Sequence, residues 1–140
     1  MMGERVLSSI ILMKDIFFYG LFMDENLLRA KGVEARKPRR AVVRDHQLKI
    51  GQRAMLVRQP SALAYGMVYE LSESEIESLY SEAGLEMYHP ELVVATFEDG
   101  SMSEVTTFNL EDKSHTEEPN REYAAKLRLV LESLGFPANL

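Results

Sequence analysis

A chain of 140 residues, 46% hydrophobic and 27% charged, is long enough to bury one core without a metal or disulfide staple. The absence of cysteine excludes disulfides, zinc–thiolate sites and thiol nucleophiles, and three scattered histidines (His46, His89, His115) without an HExxH pattern give no metal signature. A net charge of −6 argues against general nucleic-acid affinity, although half of the sixteen basic residues lie between Arg36 and Arg58.

Residues 6–13 are apolar but far shorter than a membrane span, and they lack a small-residue cleavage site. Residues 1–13 are therefore expected to be a non-core extension, and residues 14–140 one domain. Ile16, Phe17 and Phe18 read as a buried strand, which Tyr19-Gly20 interrupts. Asp24 is placed to cap a helix over residues 25–31, with Gly32 as its stop. A strand that meets a helix through a glycine turn leaves backbone N–H groups facing out of the fold. Such groups can hold a carboxylate or a developing oxyanion, so one wall of a site is expected at residues 19–22. The plainer alternative is an ordinary connection.

Residues 34–40 read as a polar loop around Pro38, followed by short strands at 41–44, 47–50 and 54–57 with a turn at Gly51-Gln52. Gln59-Pro60-Ser61 reads as another turn, and residues 63–71 as a second strong strand in which Gly66 signals a bulge or a close backbone approach. Ser72-x-x-Glu75 is a capping box that opens a helix with Ile76, Leu79, Tyr80 and Ala83 on one apolar face, and Gly84 is its expected end. Strands at 92–97 and 103–109 flank the hairpin signal Glu98-Asp99-Gly100. Residues 110–119 are polar and expected to be mobile. Asn120 caps a final helix that turns Tyr123, Leu127, Val130 and Leu134 to the core, with Gly135 and Pro137 closing it. The sum is an α+β domain with mostly antiparallel strands.

Three of these segments, in order, resemble the gamma-glutamylcyclotransferase-like family. That family has a Tyr-Gly-Ser turn after its first strand, a strand of the form G-V-x-Y-x-L, a helix ending L-D-x-x-E-G, and a later tyrosine. Here they read Phe18-Tyr19-Gly20-Leu21, Gly66-Met67-Val68-Tyr69-Glu70-Leu71 and Leu79-Tyr80-Ser81-Glu82-Ala83-Gly84, with Tyr88 as the later tyrosine. The resemblance implies a small mixed sheet, mostly antiparallel and curled toward a barrel, with helices packed outside and a cavity beside the Tyr19-Gly20 turn. It also implies an intramolecular acyl transfer on a gamma-glutamyl amide that yields 5-oxoproline, needing no cofactor. One carboxylate can serve that reaction as both base and acid.

The family's glutamate falls on Ala83, which transfers no proton. Glu82 is the adjacent candidate, although one helical residue turns a side chain by about 100°. Expected substrate contacts are Tyr19, Gly20, Leu21, Phe22 and Tyr88. Tyr69, Glu91 and His89 are weaker candidates for the same pocket. The partner is a small-molecule substrate or ligand, with neither nucleic acid nor membrane, on a cytoplasmic monomer or homodimer. The alternative is a non-catalytic module that binds a small carboxylate or amide in the same pocket. A third reading docks an acidic partner on the basic segment through Arg39 and Arg40.

Overall fold

Ile16, Phe17 and Phe18 are all buried because their strand, β1 (Met13–Phe18), has protein on both faces. Ile16 and Phe18 point outward under the helices, among Met23, Leu28, Leu79, Leu127 and Leu131. Phe17 points inward with Tyr19, among Val43, Leu56, Val68, Val93 and Val105. Two covered faces explain why this strand is continuously apolar rather than alternating. The computed structural model describes residues 12–113 and 118–138. Residues 1–11 of the extension expected over 1–13, and 114–117 of the polar stretch expected to be mobile, lie outside the described residues, while Met13 already belongs to β1.

Five strands close a barrel in the order β1, β3, β2, β4, β5, where β2 is Arg36–Ile50, β3 Ala54–Ser72, β4 Tyr88–Phe97 and β5 Met102–Leu110. All neighbours are antiparallel except β1 and β5, which pair in parallel at Ile16↔Thr106 and Phe17↔Thr107 and complete the ring. The Thr107 hydroxyl, fully buried, donates to the Phe17 carbonyl at 2.8 Å across that seam. Among the described residues the helices are α1 (Glu25–Ala30), α2 (Glu73–Tyr80) and α3 (Arg121–Ser133), with a single 3-10 turn at Leu21–Met23.

Several helix starts follow from side-chain chemistry. Asp24 accepts from the Asn26 amide and Asn120 from the Tyr123 amide. Ser72 and Glu75 form the full reciprocal capping box. Gly66 is a close approach rather than a bulge: a Cβ there would overlap the Phe18 carbonyl oxygen and lie 2.7 Å from the Phe17 ring.

Two expectations are corrected. The loop at 34–40 and the short strands at 41–57 are one long ribbon, because β2 and β3 pair from Arg36↔Glu70 to Ile50↔Ala54. Pro60 does not end the strand, because the register breaks beside it. At that break Asp45 and Ser61 take positive φ, and the Ser61 amide donates to Asp45 Oδ1 at 2.9 Å. The second correction concerns α2, which stops at Tyr80 and not at Gly84. The Ser81 hydroxyl donates to the Ser78 carbonyl, the acceptor that a further helical amide would use. Tyr80 is meanwhile held by stacking on Phe108, with ring centroids 4.2 Å apart. Ala83 consequently lies beyond the helix and is exposed, not on an apolar helix face.

A cavity beside the turn that follows the first strand

The turn after β1 forms one wall of a cavity of about 360 Å³, within the usual size of small-molecule sites. Tyr19, Gly20, Leu21 and Phe22 all line it, as does Tyr88 from the start of β4. Lys31 enters from the end of α1, and Gln52, Arg53 and Ala54 come from the end of the β2–β3 ribbon. Tyr80, Phe108 and Tyr123 complete an aromatic lining that the strand order brings together from α2, β5 and α3. Phe22 meets Tyr80 edge-on at 6.0 Å, and Tyr80 lies 6.2 Å from Tyr88.

The tyrosine hydroxyls have different tasks. Tyr19 donates to the Phe108 carbonyl at 2.8 Å, and Tyr88 donates to the Ala54 carbonyl. Tyr123 instead accepts, from the Leu21 amide at 3.2 Å. The donor expected to face outward from the turn is therefore held by the C-terminal helix. Gly20 is required by the same contact: its φ of −108° suits any residue, but a Cβ would sit 2.5 Å from Tyr123 Oη. Burial raises the pKa of Tyr19, Tyr80, Tyr88 and Tyr123, so all four remain neutral phenols at ordinary pH.

Among the described residues, no aspartate or glutamate lines the cavity. Glu82 is turned to Lys31, with Oε1 2.6 Å from Nζ. Glu91 accepts from Asn109 Nδ2 at 3.0 Å and Lys113 Nζ at 2.7 Å, and His89 lies 3.4 Å from the same carboxylate. Burial opposes ionisation of Glu91, but these partners outweigh it and lower its pKa. Tyr69 is elsewhere, donating to the Met23 carbonyl at 2.7 Å beneath the helices. The start of the basic segment is engaged by the chain's own acids: Arg36 pairs with Glu75, Lys37 with Glu70, Arg39 with Asp15 and Arg40 with Glu98. Among the described residues, no group of acidic or histidine side chains is arranged to hold a metal, and no helix is long and apolar enough to cross a membrane.

Tyr80, Tyr123, Lys31, Arg53 and Phe108 were not legible as wall residues. Each sits on an element whose sequence signals a strand, a cap or a core face, and the strand order alone brings them to one place.

A family model described as gamma-glutamyl cyclotransferase, AIG2-like, matches residues 16–126. Among solved structures, one described as a gamma-glutamyl cyclotransferase is 18% identical with a TM-score of 0.71, the match covering 90% of this chain and 82% of that one. YkqA from Bacillus subtilis is 22% identical with a TM-score of 0.72, covering 94% of this chain but only 52% of its own. A protein of Arabidopsis thaliana is 21% identical with a TM-score of 0.65, covering 90% of both chains. At these identities the structural likeness establishes the fold. No curated protein matches the sequence.

Proposed function

The chain belongs to the gamma-glutamyl cyclotransferase, AIG2-like family, and from that premise we propose that it binds a small carboxylate or amide in the aromatic cavity at residues 19–22 without a built-in proton shuttle. One observation carries this reading: the cavity wall contains no carboxylate among the described residues. Cyclising a gamma-glutamyl amide requires a group that takes a proton from the α-ammonium and returns one to the leaving nitrogen. Neutral phenols with raised pKa values are poor bases for the first step. The position that the motif resemblance gives to the family's glutamate is Ala83, which is exposed beyond α2. Tyr19, Gly20, Leu21, Phe22 and Tyr88 are the proposed ligand contacts, on a cytoplasmic protein.

A second reading keeps the reaction and assigns the proton transfers to Glu82. It is favoured by the 2.6 Å pair between Glu82 and Lys31, because Lys31 does line the cavity. An assay of 5-oxoproline release from a panel of gamma-glutamyl amides and dipeptides separates the two. The binding reading predicts no release above the uncatalysed rate. Release that is lost in Glu82→Gln would replace it with the cyclotransferase reading.

A further inference from the structure

The charge balance of the cavity is opposite to that of the molecule. The chain carries a net charge of −6, yet the ionised side chains on the wall, among the described residues, are two cations, Lys31 and Arg53, and no anion. Both are partly exposed, so they stand at the open side. The remaining wall is aromatic and aliphatic, including Phe22, Leu27, Leu85 and Phe108. The phenols stay neutral, so the wall itself supplies no negative charge to the two cations. The acids that face the two cations are outside the wall. Glu82 grips Lys31, and Glu86, held by the Gly84 amide at 2.8 Å, stands near Arg53. Arg53 Nη1 otherwise lies 3.6 Å from Met87 Sδ, a weak partner for a guanidinium.

We propose that the cavity selects a carboxylic acid with an apolar, preferably aromatic, body and no free ammonium, its carboxylate taken by Lys31 and Arg53 and its body packed against Phe22, Tyr80 and Phe108. This rests on the binding reading above and narrows it. A carboxylate at a partly desolvated site offers two charged acceptor oxygens to Lys31 and Arg53, whereas an amide of the same shape offers one neutral oxygen and no ion pair. An ammonium entering the same wall meets two like charges, while the nearest anions, Glu82 and Glu86, stand outside the wall and are engaged with those cations, which a gamma-glutamyl amino acid would have to tolerate. Glu82 competes with the ligand for Lys31, so its neutralisation should strengthen anion binding. The cyclotransferase reading ties the same change to a different readout, loss of 5-oxoproline release.

The test is calorimetric titration of the full chain with three matched probes: 3-phenylpropionate, 3-phenylpropanamide and phenylalanine, which is the first probe plus an α-ammonium. The expected result is that the acid binds about tenfold tighter than either other probe, the size of one charge-assisted contact. Arg53→Gln and Lys31→Gln should each narrow that gap, and Glu82→Gln should widen it. Equal affinity for acid and amide would overturn the anion preference while leaving the small-molecule site standing. If phenylalanine binds as well as the acid, the exclusion of ammonium is overturned. If no probe binds, both this inference and the binding reading fall.

Discussion

Gly20 and Tyr123 form the contact that defines the cavity wall at the scale of single residues. The Leu21 amide donates to Tyr123 Oη, and the glycine before it leaves room for that oxygen. Because the φ of Gly20 is an ordinary −108°, Gly20→Ala carries no left-handed backbone penalty, and its cost comes from the collision with the hydroxyl. The substitution should destabilise by about 1–3 kcal/mol, as for an overpacked site. Tyr123→Phe keeps the ring and removes the oxygen, at about 1 kcal/mol for the lost acceptor. In the double variant the alanine has nothing left to strike, since the next ring atom is 3.8 Å away. Urea unfolding of the four proteins should therefore give a coupling of at least about 1 kcal/mol, with the double variant no less stable than Gly20→Ala. Strictly additive costs would show that the hydroxyl is not what demands a glycine. The turn was legible from Tyr19-Gly20 itself. Its partner was not, because Tyr123 carries only the pattern of a core-facing helical residue.

At the level of elements, the helix starts were readable because caps are local. Asp24, Ser72 with Glu75, and Asn120 each satisfy amides within three residues of themselves. The β2–β3 ribbon was not readable, since Gln59-Pro60-Ser61 has the composition of a turn. Only pairing with the distant Asp45 turns it into a strand irregularity. Glu75 ties local and long-range structure together. Its carboxylate accepts from the Ser72 and Glu34 amides and from Arg36 Nη1 at 2.9 Å. Burial alone would raise its pKa, but these donors outweigh that effect and lower it from 4.5 to about 2. A carboxylate with a depressed folded-state pKa contributes stability above its unfolded value of about 4.3, and that stability is lost as pH falls toward the folded value. Urea midpoints should show Glu75→Gln less stable than the parent by a constant margin above about pH 5. The margin should then shrink between about pH 4.5 and about pH 2. A margin that is independent of pH would mean that the charge contributes nothing.

For the whole molecule, barrel closure decides where function can reside. β1 is flanked by β3 and β5 and covered on both faces, so the turn that follows it is fixed at the end of a closed ring. The same closure carries β5, α2 and the tip of the β2–β3 ribbon to that end, and it collects aromatic rings around a space none of those elements encloses alone. The chain's family membership was legible from three ordered motifs. The chemistry of the wall was not, because the lack of an acid among its described residues is a property of all the converging segments together. The proposed function places a small molecule at this end of the barrel. Amide-resolved NMR of the full chain titrated with 3-phenylpropionate tests it most directly. The largest shifts are expected on Gly20, Leu21 and Phe22, with further shifts at Lys31, Arg53, Tyr80, Tyr88 and Tyr123. Shifts confined to the exposed strand face around Leu92, Val94 and Met102, or an unmoved turn at saturation, would contradict it.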